Sequence, residues 1–165
     1  MASTPKIVFA AAALIVVAQA NLRRSEPSYE ASAIGALRAI ASGQLAYQAA
    51  SGGYAPSLTA LAAACPNGQH GFVSPDLARD PTITRGYEIR LQAQPGARPG
   101  PADCNGVLTS TGYYASATPL RDAPGAIRAF AVDQNGAIWS NASGVPPKSP
   151  FEEKGTIERL GGSHQ

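Results

Sequence analysis

Charge and aromatic surface are both scarce in this chain. Of its 165 residues, 15% are Asp, Glu, Lys or Arg and 7% are aromatic, and the formal charge is only +2. The largest basic cluster is the pair Arg23–Arg24, with no interleaving of aromatic and basic residues, which excludes nucleic acid as a partner. Two cysteines and two distant histidines do not make a metal site of the usual four-ligand kind. No Gly-x-Ser-x-Gly elbow or comparable frame supports a nucleophilic hydrolase, and no internal repeat is visible. These absences point away from an enzyme. The length suits one domain, whose core must come from Ala, Leu, Ile and a few Tyr. Glycine (17) and proline (14) are plentiful instead, which predicts many connections and few regular elements.

Residues 1–20 form a unit of their own. Lys6 precedes an apolar run from Ile7 to Ala18, followed by Gln19 and Ala20. At about 1.5 Å per residue this stretch reaches about 21 Å, short of the roughly 30 Å hydrocarbon layer. Ala18-Gln19-Ala20 has the small-x-small form of an export cleavage site, so the mature chain is expected to start at Asn21. Two competing expectations are retention of the apolar segment as an inner-membrane anchor and a true start upstream of Met1. Export places the protein in the periplasm, on the cell surface or in the medium. In that oxidising setting Cys65 and Cys104 are expected to bridge, two unrelated thiols being the alternative. The closed loop of about 40 residues would contribute about 3–4 kcal/mol in the chain-entropy model.

Beyond the junction, apolar residues recur at helical spacing. Ile34, Leu37, Ala41, Leu45 and Gln48 define one stripe, with Ile40, Gln44 and Tyr47 beside it, and the expected packing face is Ile34, Leu37, Ile40 and Leu45. Ser28 is the expected N-cap, Pro27 interrupts any helix running in from the apolar head, and "SGGYAP" ends the helix. Gly35 and Gly43 each cost about 1 kcal/mol against alanine, so the helix must gain stability by packing. A second short helix is expected from Ser57 to Ala64. "GYEIRLQA" (86–93) alternates like a strand with one wet face, and "TGYYASAT" (111–118) and "AIRAFAV" (126–132) read as further strands. Between the first two lies a long loop, "PGARPGPADCNG", pinned by Cys104. Asn135-Gly136 predicts a hairpin with arms Phe130–Gln134 and Ala137–Ser140. Helices followed by strands argue an α+β fold, one helix packed on an antiparallel sheet of three to four strands. The domain boundaries expected are 1–20, 21–144 for helix and globular head, and a loosely held Pro-rich, charged tail at 145–165.

Taken together, "NLRRSEPSYEASAIGALRAIASGQLAYQAASGGYAPSLTALA", "GYEIRLQA", "TGYYASATPL" and "FAVDQNGAIW" resemble, in order and spacing, the helix and three sheet segments of type IV pilin-like proteins, including type II secretion pseudopilins. The resemblance implies a pilin-like fold and a non-enzymatic subunit of a type IV pilus or a type II secretion-like system. Its partners would be other pilin-like or secretion-system subunits, and the inner membrane if the apolar segment is retained. The chain departs from that pattern at its N-terminus. The leader glycine and the Phe-Thr-Leu-x-Glu that follow it in such proteins would fall at or before Met1, and Ser3 stands near the glutamate position. The Arg24–Glu30 junction is a residue shorter than usual, which turns the downstream helix face by about 100°. An ordinary export signal fits these changes, and with it the alternative of a secreted soluble binding module that kept the head and lost assembly.

Other candidate sites have simpler readings. Asp133 and Asn135 are candidates for calcium, as in some pseudopilins, but calcium takes about six to eight oxygens and only these two side chains are in sight. A turn stabilised by Asp and Asn is the expectation, with no cofactor. Asp76 and Asp80, flanking "LAR", fit turn and capping roles better than an acid pair, and His70 reads as an exposed loop residue. Tyr113, Tyr114, Phe130 and Trp139 are expected to pack against the main helix. Asn141-Ala142-Ser143 matches a glycosylation sequon and is read as a turn.

Overall fold

A 23-residue helix, α1 (Tyr29–Ser51), opens the computed structural model, which describes residues 29–68, 70–123 and 125–161. The expected export signal, the cleavage residues Ala18, Ala20 and Asn21, and the cap Ser28 lie outside the described residues. Among the described residues no helix is long and apolar enough to cross a membrane. Helix α1 stops at Gly52, whose φ of 77° is open to glycine and whose N–H donates back to Gln48 O. Helix α2 (Leu58–Ala62) follows, with Ser57 Oγ accepting from Ala60 N as its N-cap.

The strands are β1 (Thr82–Thr84), β2 (Tyr87–Ala93), β3 (Pro99–Ala102), β4 (Leu108–Ser110), β5 (Tyr113–Pro119), β6 (Ala129–Asp133), β7 (Trp139–Asn141) and β8 (Ile157–Arg159). Six of them form one antiparallel sheet in the order β1-β2-β5-β6-β7-β8, and β3 pairs with β4 separately. The fold is α+β as expected, but the sheet is larger than three to four strands. Strands β1 and β8 account for the surplus in the sheet, and the separate β3–β4 pair is a further addition. Arg85 and Gly86 both take positive φ (38° and 78°), closing a two-residue β1–β2 turn that an arginine disguises in the sequence. The "long loop" around Cys104 is the β3–β4 hairpin. Strand β8 comes from the segment read as a tail.

Helix α1 lies on one face of the sheet. Its buried residues Ala33, Leu37, Ile40, Gln44 and Tyr47 meet Tyr87, Ile89, Leu91, Tyr113, Ala115, Ala117, Phe130 and Val132 in a single core. Leu37 and Ile40 therefore face the sheet as expected, and Ile34 is partly buried against the core. Leu45 does not: it is 61% exposed. The helix is turned about its axis, and three residues account for the turn. A Cβ at Gly43 would stand 2.7 Å from Phe72 O, so that side is pressed against backbone. Gln44 Oε1 accepts from Ala55 N and Gln44 Nε2 donates to Ala55 O, both at 2.8 Å. Tyr47 Oη donates to Asp103 Oδ2 at 2.7 Å. Two polar side chains and a glycine thus set an azimuth that counting apolar residues misses.

The ends of the helix are tied as well. Arg128 donates through Nε and Nη2 to Glu30 Oε2 and through its backbone N to Glu30 Oε1, clamping the first turn to the start of β6. That guanidinium also lies 5.5 Å from the Phe130 ring centroid. At the far end Tyr54 exchanges two backbone hydrogen bonds with Ser110, attaching the β3–β4 hairpin. Cys65 and Cys104 form the expected disulfide, with Cα atoms 5.6 Å apart, and fix the same hairpin to the end of α2.

Candidate functional site

The sheet face turned away from α1 would be open to water in a two-layer fold, yet Ala129, Ala131 and Asp133 on it are buried. Residues 142–156, between β7 and β8, lie against this face at Tyr114, Asp133 and Trp139. This segment runs across the face as a strap, then returns to the sheet edge. Tyr114 Oη donates to Pro147 O at 2.7 Å, and Ser149 Oγ donates to Asp133 Oδ2 at 2.9 Å. Phe151 stacks on Trp139 with ring centroids 5.7 Å apart and tilts against Tyr114 at 6.2 Å. Burial pushes the Tyr114 phenol up to about 12, so it stays protonated and holds Pro147 as a donor. The segment expected to be a loose tail is therefore held by hydrogen bonds, an aromatic stack and β8. Its prolines disguise this, because they signal a connection and say nothing of what the connection covers.

Where the strap leaves the sheet, a cleft of about 360 Å³ opens, lined by Trp139, Phe151, Ala137 and Pro150 together with polar residues. Asp133 Oδ1 accepts from Asn135 N at 2.9 Å, while Gln94 Nε2 donates to Ser149 Oγ at 2.8 Å. The chain Gln94 to Ser149 to Asp133 makes a fixed polar floor. Above the backbone of Gly112, Gln94 Oε1 and Gln134 Oε1 converge: a Cβ added there would meet them at 2.6 and 3.4 Å. Gln134 Oε1 is buried and accepts no hydrogen bond. An unpaired buried acceptor costs about 1–3 kcal/mol, so this one stands out against a fold whose other buried polar groups are satisfied among the described side chains. Arg159, the cross-strand partner of Trp139, lies at the exposed edge.

Most residues singled out in the sequence serve structure. Asp133 is 2% exposed and caps the turn after β6, and Asn135 sits at the cleft edge. Among the described residues no three His, Cys, Asp or Glu side chains are grouped to hold a metal. At Asn135-Gly136 only Gly136 has positive φ (74°), and the β6–β7 ladder closes further out, at Ala131 and Trp139. The tight two-residue hairpin is replaced by a wider turn that Asp133 stabilises. Asp80 accepts from Leu58 N at 3.0 Å and Leu91 N at 3.4 Å, joining α2 to β2, while Asp76 lies on a single helical turn and His70 is exposed. Asn141 is 7% exposed, donating to Val145 O and accepting from Ser143 N and Thr156 Oγ1.

The four aromatics divide between the two faces. Tyr113 and Phe130 pack toward α1 as expected, but Tyr114 and Trp139 point away from it, under the strap and into the cleft wall. Alternation along β5 already required Tyr113 and Tyr114 to part. Gln94, Gln134, Ser149, Phe151 and Arg159 are the cleft residues that sequence reasoning missed. No local signal marks them, since they come from four separate segments. No family model, curated protein or solved structure matches the chain.

The outward face of α1 is the second unusual surface. Ala39, Ser42, Leu45, Ala46, Gln48 and Ala49 are exposed on it, with Arg38 the charged residue in their midst. A water-facing helix ordinarily carries far more charge.

Proposed function

We propose that this chain is a non-enzymatic, pilin-like or pseudopilin-like envelope protein, a structural subunit of a type IV pilus or type II secretion-like assembly. The observation that carries this reading is the outward face of α1 around Leu45, built from small and mainly apolar residues. It suits close helix-to-helix packing better than it suits water. The segment resemblances from Asn21 to Ser140 and the placement of a helix on one face of an antiparallel sheet support it. Asp80, Asp133 and Asn141 are occupied in holding backbone groups, in keeping with a scaffold.

A second reading is a secreted binding module that kept the head. It is favoured by Ala18-Gln19-Ala20 and by Pro27 at the shortened junction. Intact mass and N-terminal sequencing of the protein recovered from cell fractions separate the two. Retention of Ile7 to Ala20 in the membrane fraction, with Leu45→Arg abolishing cross-linked oligomers, is expected for the subunit. A chain starting at Asn21 and found only as a monomer in the periplasm or medium refutes it.

A further inference from the structure

The cleft beside the strap lies on the opposite side of the sheet from α1, so it stays open whether or not that helix packs on a partner. We propose that it is a binding site for a neutral glycan, taking one or two sugar rings between the Trp139–Phe151 wall and the Gln94–Gln134–Asn135 amides.

Its size, about 360 Å³, lies at the small end of ligand pockets. Its charge is balanced, with Arg159 at the edge and Asp133 at the floor. A phosphate would meet one guanidinium and a carboxylate behind it. A cation would meet Arg159 first and then an Asp133 whose two oxygens already accept hydrogen bonds from Asn135 N and Ser149 Oγ. A neutral ligand has neither difficulty.

The polar groups specify hydroxyls. Each amide offers a carbonyl acceptor and an NH2 donor in one plane, the complement of a group that both donates and accepts. Gln134 Oε1 itself is closed off beside Gln94 Oε1 over Gly112, so the remaining polar atoms of Gln134, with the amides of Gln94 and Asn135, are what the cleft offers to a ligand's O–H groups. A sugar hydroxyl set between these amides can accept from an NH2 and donate to a carbonyl oxygen, directly or through a water. The apolar wall answers the other half of a sugar, whose C–H faces pack on aromatic rings. The strap holds this wall in place, with Phe151 fixed between Trp139 and Tyr114.

Trp139 is the one tryptophan of the chain, so its fluorescence reads this cleft and nothing else. The full chain is titrated with maltose, cellobiose, lactose and N,N′-diacetylchitobiose, with inorganic phosphate and acetylcholine as charged comparisons. Emission and calorimetric heat are recorded in parallel. At least one of the sugars is expected to saturate both signals. Gln134→Leu should weaken that sugar at least about tenfold, or about 1.4 kcal/mol. The same variant should melt no lower than the parent, because it removes a buried acceptor that lacks a donor. The proposal fails if no sugar saturates either signal, if phosphate or acetylcholine saturates them instead, or if Gln134→Leu binds the sugar unchanged. None of these outcomes depends on whether the apolar head is cleaved or on whether the chain assembles.

Discussion

Replacing Gln44 with leucine tests what sets the helix in its place. Gln44 and Ala55 are both fully buried, and the Gln44 amide satisfies the N–H and the C=O of Ala55 at 2.8 Å each. Leucine has similar bulk and is the residue a hydrophobic stripe would favour there. It leaves two backbone groups buried without partners, at about 1–3 kcal/mol each. The extra apolar surface returns about 1–2 kcal/mol. The net loss expected for Gln44→Leu is about 2–4 kcal/mol, read as a urea midpoint lower by about 1–2 M at unchanged slope. Leu45→Ala is the matched control. With Leu45 61% exposed, its loss should stay within about 0.5 kcal/mol, whereas truncating a core leucine costs about 2–5 kcal/mol. Far-UV circular dichroism follows both unfolding curves. A Gln44→Leu variant as stable as the parent, or a Leu45→Ala variant less stable than Gln44→Leu, refutes the assigned azimuth.

Further outcomes follow from the ties at the ends of the helix and on the outer face. Changing Cys65 and Cys104 together to serine opens a loop spanning 39 positions, and should cost about 4 kcal/mol in thermal unfolding, matched by adding reductant to the parent. The hydrogen bonds from Arg128 hold the Glu30 carboxyl below its ordinary value of 4.5. Its folded pKa being depressed, its contribution is fully present above that value and is lost as pH falls through the folded one. Arg128→Met should cost about 1–3 kcal/mol at neutral pH, and the gap to the parent should narrow under acid conditions; a constant gap contradicts the assignment. Phe151→Ala should uncover Trp139, shifting its emission to the red, and cost about 1–3 kcal/mol, less than a fully buried phenylalanine because Phe151 is only half-buried.

The strands read from alternation, β2 above all, were legible because one face of that strand meets the core and the other meets water. The end of α1 and the start of α2 were legible for a related reason, since Gly52 and Ser57 are caps whose chemistry is local, whereas α2 stops at Ala62, two residues short of the expected Ala64. Strand β1 was not, because its two-residue turn uses Arg85 at positive φ, a conformation an arginine does not advertise. The helix azimuth was misjudged at Leu45 because a buried glutamine looks polar until its partner, eleven residues on, is known. The cleft was illegible altogether: Gln94, Gln134, Ser149 and Arg159 meet only once the strap has crossed the sheet.

Local sequence determined the main helix, where it stops, and the strands β2, β5 and β6 in their order, since propensity, capping and alternation act over a few residues. The Cys65–Cys104 bridge was also legible, as the one pairing that two cysteines allow. Only tertiary structure decided which way the helix faces, how many strands join the sheet and what lies over its outer side. Those depend on hydrogen bonds between residues far apart in sequence, from Tyr47 to Asp103 and from Asp133 to Ser149, which no short window contains. The physical reason is burial: a polar side chain taken out of water must find its complement, and the complement's position is fixed only when the whole chain has folded.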